Sequence, residues 1–264
     1  MLFDYVFMQR ALWVGLLIAL ISPLIGQTLV LKRLSMVSDA VAHTTLAGVA
    51  IGIIVGINPM ISALIASLLG VYLVDILRKR LPQYAEVAVA ILMAIGIGLA
   101  GTLSSFIPDT NRFSAFLFGS IVSTSASEVI WISGIALFVL LSYSLFYKEI
   151  FALTFDEESA QYAGVKIKFV NFLVMLMLSL TLSIAAKTVG SLILSSLLIL
   201  PVATALQLSL SYRKTLIWSV LFSVISMLGG LILSFYFGIK PGGAVVLLAV
   251  AQYLLLLPIQ RRQH

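Results

Sequence analysis

The chain has 264 residues; 61% are hydrophobic, 10% are charged, and the formal net charge is +6. A soluble domain carries about 25% charged residues, so this much apolar surface exceeds what a soluble core absorbs and matches a bilayer. The absence of cysteine excludes a disulfide framework, a thiolate metal site and a cysteine nucleophile, and the basic residues stand singly between apolar runs, as in loops at an anionic membrane surface rather than in a nucleic-acid-binding patch.

The N-terminal segment presents Asp4 before any basic residue, and no small-residue cleavage pattern follows the first apolar run. It therefore reads as a permanent span and not as a secretory signal. A crossing helix needs about 20 mostly apolar residues. Candidate spans follow at Ala11–Leu31, Met36–Ile57, Met60–Leu77, Glu86–Phe106, Val129–Tyr147, Ile167–Ala186, Val189–Leu210, Leu216–Phe237 and Gly242–Pro258. The stretch Phe113–Ser123 is apolar but too short to cross, and reads as a re-entrant or interfacial helix on the outer side. The expectation is an all-α integral membrane protein, a bundle of eight or nine spans forming one membrane domain over residues 1–264.

If all nine segments cross, Lys32, Arg33, Arg78, Lys79, Arg80, Lys148, Lys166, Lys168, Arg213, Lys214, Arg261 and Arg262 share one side, and Arg10, Arg112, Lys187 and Lys240 the other. By the positive-inside rule the N-terminus is outside and the C-terminus cytoplasmic. A count of eight requires one re-entrant segment or an inside N-terminus.

Ionisable groups inside spans are costly and point to function. The second span opens LSMVSDAVAHTTLAG, which puts Asp39 and His43 four residues apart on one helix face. A carboxylate and an imidazole form half of a divalent metal site, and two such pairs across a two-fold axis supply four ligands. The plain alternative is a helix-start carboxylate near the interface, hydrogen-bonded to a buried histidine. Lys187 reads as a charge at the outer mouth or as a lysine snorkelling to headgroups. Asp75 is spaced to pair with Arg78 or Lys79, and Glu86 and Glu128 stand at helix starts. Pro23 and Pro201 can kink their helices, and Gly48, Gly52 and Gly56 have the spacing of close helix approach, expected to bring a neighbour near the Asp39–His43 face. In the loop LTFDEESAQYAGVKIK, Asp156, Glu157 and Glu158 begin a short helical stretch, followed by Ala160, Ala163 and Gly164. Such a helix is either a surface loop or a knob for a groove in a soluble partner.

Five ordered blocks, RLSMVSDAVAHTTLAGVAIG, FLFGSIVSTSASEV, FDEESAQYAG, VGSLILSSLLILPVATA and PGGAVVLLA, resemble the permease subunits of bacterial ABC importers of zinc or manganese over nearly the whole chain. The resemblance implies a type II-like permease in the bacterial cytoplasmic membrane. Its implied partners are a second copy, two cytoplasmic ATP-binding subunits and a metal-binding lipoprotein outside. Asp39 and His43 are the implied intramembrane metal ligands. The segment from Phe155 through Asp156, Glu157, Glu158, Ala160 and Ala163 to Gly164 is the implied coupling helix to the ATPase. The cargo is Zn²⁺ or Mn²⁺ and no cofactor is permanently bound. The chain has no phosphate-binding loop motif, so ATP belongs to the partner and this chain is not an enzyme. Ser38, Thr44 and Ala47 depart from the manganese branch's pattern, which places the chain nearer the zinc branch. An ion- or proton-driven metal carrier and an ABC permease for an organic metal chelate are the alternatives.

Overall fold

A computed structural model describes residues 5–80, 82–120, 124–191, 194–208 and 210–260. Every regular element among them is helical. Eight are long and apolar enough to cross a membrane. In chain order the helices are α1 (Val6–Leu31), α2 (Ser35–Val55), α3 (Pro59–Arg80), α4 (Ala85–Ser104), α5 (Thr110–Phe118), α6 (Ala126–Leu145), α7 (Tyr147–Phe155), α8 (Glu157–Tyr162), α9 (Ile167–Ala185), α10 (Leu194–Leu206), α11 (Tyr212–Phe237) and α12 (Pro241–Gln260). A π-helical turn, Ala186–Gly190, extends α9. The apolar helix α10 has 13 residues, about 20 Å of rise, and is the one expected span too short to count among the eight.

Helices α1, α2 and α9 make the centre of the bundle. Ile18, Ile21 and Ile25 of α1 and Met177, Leu182 and Ile184 of α9 are almost fully buried. α1 packs on α6, α9, α10 and α11, while α2 packs on α3, α4 and α10. The outer helices keep an apolar outside face: Ile61, Ile65, Leu69 and Tyr72 on α3, and Val87, Ile91, Ile95 and Leu99 on α4, are all exposed at helical spacing. In water such stripes would drive association; in a bilayer they meet lipid or another subunit.

Several boundaries differ from the sequence reading for local reasons. α1 begins at Val6, five positions early. Val189 and Gly190 complete the π turn after α9 rather than opening the next helix. The fifth span ends at Leu145, where Phe146 closes α6 and starts a separate amphipathic helix, α7, with its ring on Phe169 at 5.4 Å. The short apolar stretch expected on the outer side folds as helix α5, started by Asp109, whose carboxylate accepts from the amides of Asn111 and Arg112; its expected end at Ile121–Ser123 lies outside the described residues.

The basic residues separate by end. The α1–α2 link, the end of α3 and the α7–α8 segment line one groove that includes Lys32, Arg78 and Glu157. Tyr212 at the start of α11 joins them: its hydroxyl lies 3.0 Å from that of Tyr143, its carbonyl accepts from Gln27, and its ring meets those of Phe151 and Phe155. Lys187 and Lys240 sit at the opposite end, beside α5, with Lys240 stacked 3.6 Å from the Phe118 ring. Arg261 and Arg262 lie outside the described residues.

Candidate metal pathway and coupling segment

The link from α1 to α2 is three residues long. Arg33 adopts a left-handed backbone (φ 57°) and the Leu34 amide returns to the Leu29 carbonyl at 2.7 Å. This tight reversal starts α2 at Ser35, so Asp39 falls in its second turn, about 6 Å from the helix start, and His43 about 12 Å along. His43 is thus close to the middle of a 21-residue helix, whereas Asp39 is nearer the charged end.

Both side chains are half-buried, and they share one face of α2 with exposed Met36. They make no hydrogen bond to each other, which disfavours the plain reading of a closed Asp–His pair. Asp39 is instead held from α10: the Ser195 hydroxyl donates to Asp39 Oδ1 at 3.2 Å. His43 is approached by α4, where a Cβ on Gly96 would stand 2.9 Å from His43 Cβ. The glycines at 48 and 52 act elsewhere. They let α3 approach through Pro59, Ser62 and Ala66, because Gly52 is nine residues from His43 and so about 180° around the helix. Gly56 (φ 79°) caps α2.

Among the described residues, no group of three or more carboxylate, imidazole or thiol side chains could hold a metal ion. Asp39 and His43 offer two donors of the type that suits borderline divalent cations. A complete shell takes further donors from a hydroxyl, water or a second copy of the chain.

The segment Phe155–Gly164 folds as one compact cap. Asp156 starts α8, accepting from the amides of Glu158 (3.0 Å) and Ser159 (3.3 Å) and from the Ser159 hydroxyl. The Ser159 hydroxyl, then the Ser159 amide and, more weakly, the Glu158 amide hold its carboxyl below the ordinary range, against an opposing desolvation. Glu157 accepts from Asn171 of α9 at 3.2 Å, Ala160 is buried, and Glu158 faces solvent. Ala163 closes the helix and Gly164 turns the chain at φ 84°, a left-handed conformation suited to glycine. Phe155 is 62% exposed and Tyr162 91% exposed, so the cap offers aromatic surface outward. Beneath it, Phe155 rests on Phe151 and Tyr212.

The metal-type pair and the cap are not in contact, but they are neighbours: Leu34 and Val37 of α2 line the same groove as Phe155 and Glu157. Val37 is two residues before Asp39. The sequence reading missed two partners. Ser195 lies inside the VGSLILSSLLILPVATA block, where a serine pair in an apolar helix was the available signal. Lys187 does not snorkel; it pairs with Glu128 of α6 at 2.5 Å, both largely buried, while Glu128 also completes a capping box with Ser125. The pairing joins residues 59 positions apart, and nothing local announces it.

Known proteins resemble this chain along its length. A metal transport system membrane protein of Treponema pallidum, described as probable, is 34% identical, covering 97% of this chain and 96% of its own. The manganese transport system membrane protein of Listeria monocytogenes is 32% identical, covering 94% and 89%. The high-affinity zinc uptake system membrane protein of Haemophilus influenzae is 29% identical, covering 96% and 97%. The solved structure of PsaBC from Streptococcus pneumoniae in complex with Fab superposes with a TM-score of 0.89 at 25% identity, over 98% of this chain and 95% of that one. The model of the ABC 3 transport family matches residues 4–260, and with eight helices fit to cross a membrane the chain belongs to that family as a multi-pass membrane protein.

Proposed function

We propose that this chain is the permease subunit of an ATP-driven importer that carries a divalent transition metal into the cytoplasm by alternating access. One observation carries the reading: in a chain of this family, Asp39 and His43 share an accessible face of a central span, with Ser195 orienting the carboxylate. Two copies facing each other supply two carboxylates and two imidazoles, which suits Zn²⁺ and, with water, Mn²⁺. The motif pattern around Asp39 favours zinc, while manganese is the commoner metal in the names of the relatives. The charged end faces the cytoplasm by the positive-inside rule. The cap Phe155–Gly164 engages an ATP-hydrolysing partner, and the shared groove passes its displacement to the start of α2. A metal-binding lipoprotein delivers the ion at the Lys187–Glu128 end. On this reading residues 1–264 form one transport domain and ATP is hydrolysed on another chain.

The test is ⁶⁵Zn uptake into proteoliposomes holding the permease, its ATPase and its binding protein, with Mn²⁺ as competitor. Asp39→Ala and His43→Ala abolish uptake while the assembly persists, and the competition ranks the two metals. Uptake that survives both substitutions refutes the assigned pathway; uptake that needs no ATPase identifies a secondary carrier instead.

A further inference from the structure

The groove at the charged end has a make-up that neither the metal pair nor the cap explains. It encloses about 480 Å³. Its rim carries Lys32 and Arg78, and its depth is walled by Val71, Val74, Met175 and Leu178. Val71 and Arg78 are seven residues apart on α3, so the apolar depth runs about 10 Å inward from the cations.

Of the two acids at the rim, Asp75 is matched by a cation and Glu157 by a neutral amide, so Glu157 keeps a charge that acts on Lys32. Lys79 donates to Asp75 at 2.5 Å, and Asn171 donates to Glu157. Lys32 and Arg78 are half-buried, and neither side chain has a hydrogen-bond or ion-pair partner among the described residues. Desolvation pushes the Lys32 ammonium below its usual pKa; Glu157 opposes this and Arg78 adds to it. A nearby anion would relieve that penalty.

Two cations without a direct ion pair, in excess of the one unmatched carboxylate, stand over an apolar slot at the level where spans end and complement a phosphate with an acyl chain attached. We propose that this groove binds an anionic phospholipid of the adjoining leaflet. Its phosphate sits between Lys32 and Arg78, and the first carbons of one acyl chain lie along Val71, Val74 and Leu178. The inference goes beyond the transport reading and holds whichever metal is carried.

The experiment is native mass spectrometry of the full chain in mild detergent, titrated with phosphatidylglycerol, phosphatidylcholine or glycerol phosphate. Wild type retains phosphatidylglycerol about thirtyfold better than phosphatidylcholine, as two basic contacts predict. Arg78→Gln reduces the preference about fivefold, and Lys32→Gln with Arg78→Gln abolishes it. Lys32→Arg and Lys214→Gln keep it. The single Arg78→Gln variant serves if the double one fails to fold. Equal retention of the two lipids overturns the proposal, as does preference unchanged in the Gln variants. Glycerol phosphate competing as well as phosphatidylglycerol overturns it in favour of a free phosphate-ester site.

Discussion

The Ser195 hydroxyl on α10 donates to Asp39 Oδ1 on α2 at 3.2 Å, across 156 positions of sequence. The bond orients the carboxylate and leaves its other oxygen without a hydrogen-bond partner among the described residues. Ser195→Ala removes the donor but keeps both proposed ligands. At a half-buried site the loss is on the order of 1 kcal/mol, so half-saturating metal rises roughly fivefold to tenfold while maximal uptake changes little. Uptake kinetics separate this from Asp39→Ala, which loses transport outright.

Asp156 caps α8 through two amides and one hydroxyl. Asp156→Ala frays the cap and lowers metal-stimulated ATP hydrolysis in the reconstituted assembly, whereas Asp156→Asn, which still accepts, retains most of it. The sign of the pH effect follows from the carboxyl's lowered pKa. Its contribution to holding α8 is complete above the ordinary carboxylate pKa and lost as pH falls through the lower folded value. Hydrogen exchange of the 157–162 amides, corrected for intrinsic rates, is therefore protected near pH 6 and loses protection in strong acid.

Lys187 and Glu128 pair at 2.5 Å with little exposure. Glu128→Gln leaves a cation without its counter-charge and destabilises the protein by about 2 kcal/mol. Combining it with Lys187→Met recovers most of that loss, because the pair then goes together. Thermal unfolding of the two single variants and the double variant gives the coupling directly.

Metal and proton compete for an imidazole ligand, so uptake weakens in acid. Uptake rates measured between pH 7.5 and 5, with ATPase activity and delivery-protein binding shown constant, check this. A flat profile removes His43 from the ligand set.

Gly190 (φ 101°) and Gly119 (φ 79°) face each other backbone to backbone. A Cβ on Gly190 would lie 2.5 Å from the Phe118 carbonyl carbon, and one on Gly119 would lie 2.6 Å from the Thr188 oxygen. Gly190→Ala combines that clash with a strained φ and costs several kcal/mol, roughly 1–3 from the backbone alone. Gly98→Ala on α4 meets nothing within 4 Å and is tolerated. Melting temperatures of the purified variants give the contrast.

The spans were legible because an apolar run of span length has few uses besides crossing a bilayer. The Asp39–His43 face was legible because helix geometry puts residues four apart together. The cap at Asp156 was legible for a similar reason: acids clustered before small residues and Gly164 mark a helix start and stop. What stayed hidden depends on contacts between distant segments. Ser195 reaches Asp39, and Glu128 finds Lys187, only once the bundle assembles. α7 was hidden because Lys148 and Glu149 end the apolar run and read as the start of a loop, and nine residues are too few to register as a span. Gly48 and Gly52 had the right spacing for close approach, yet helix phase turned them toward α3 and away from His43.

The Gly119–Gly190 contact also constrains how this chain can change over generations. Backbone of the opposite segment occupies the space that a side chain on either would need, and each holds a backbone conformation that other residues enter only with strain. A side chain at either position requires the facing backbone at the junction of α5 and the π turn to move. Each glycine is thus held by backbone that would remain whatever residue replaced the other, although the two stand 71 positions apart.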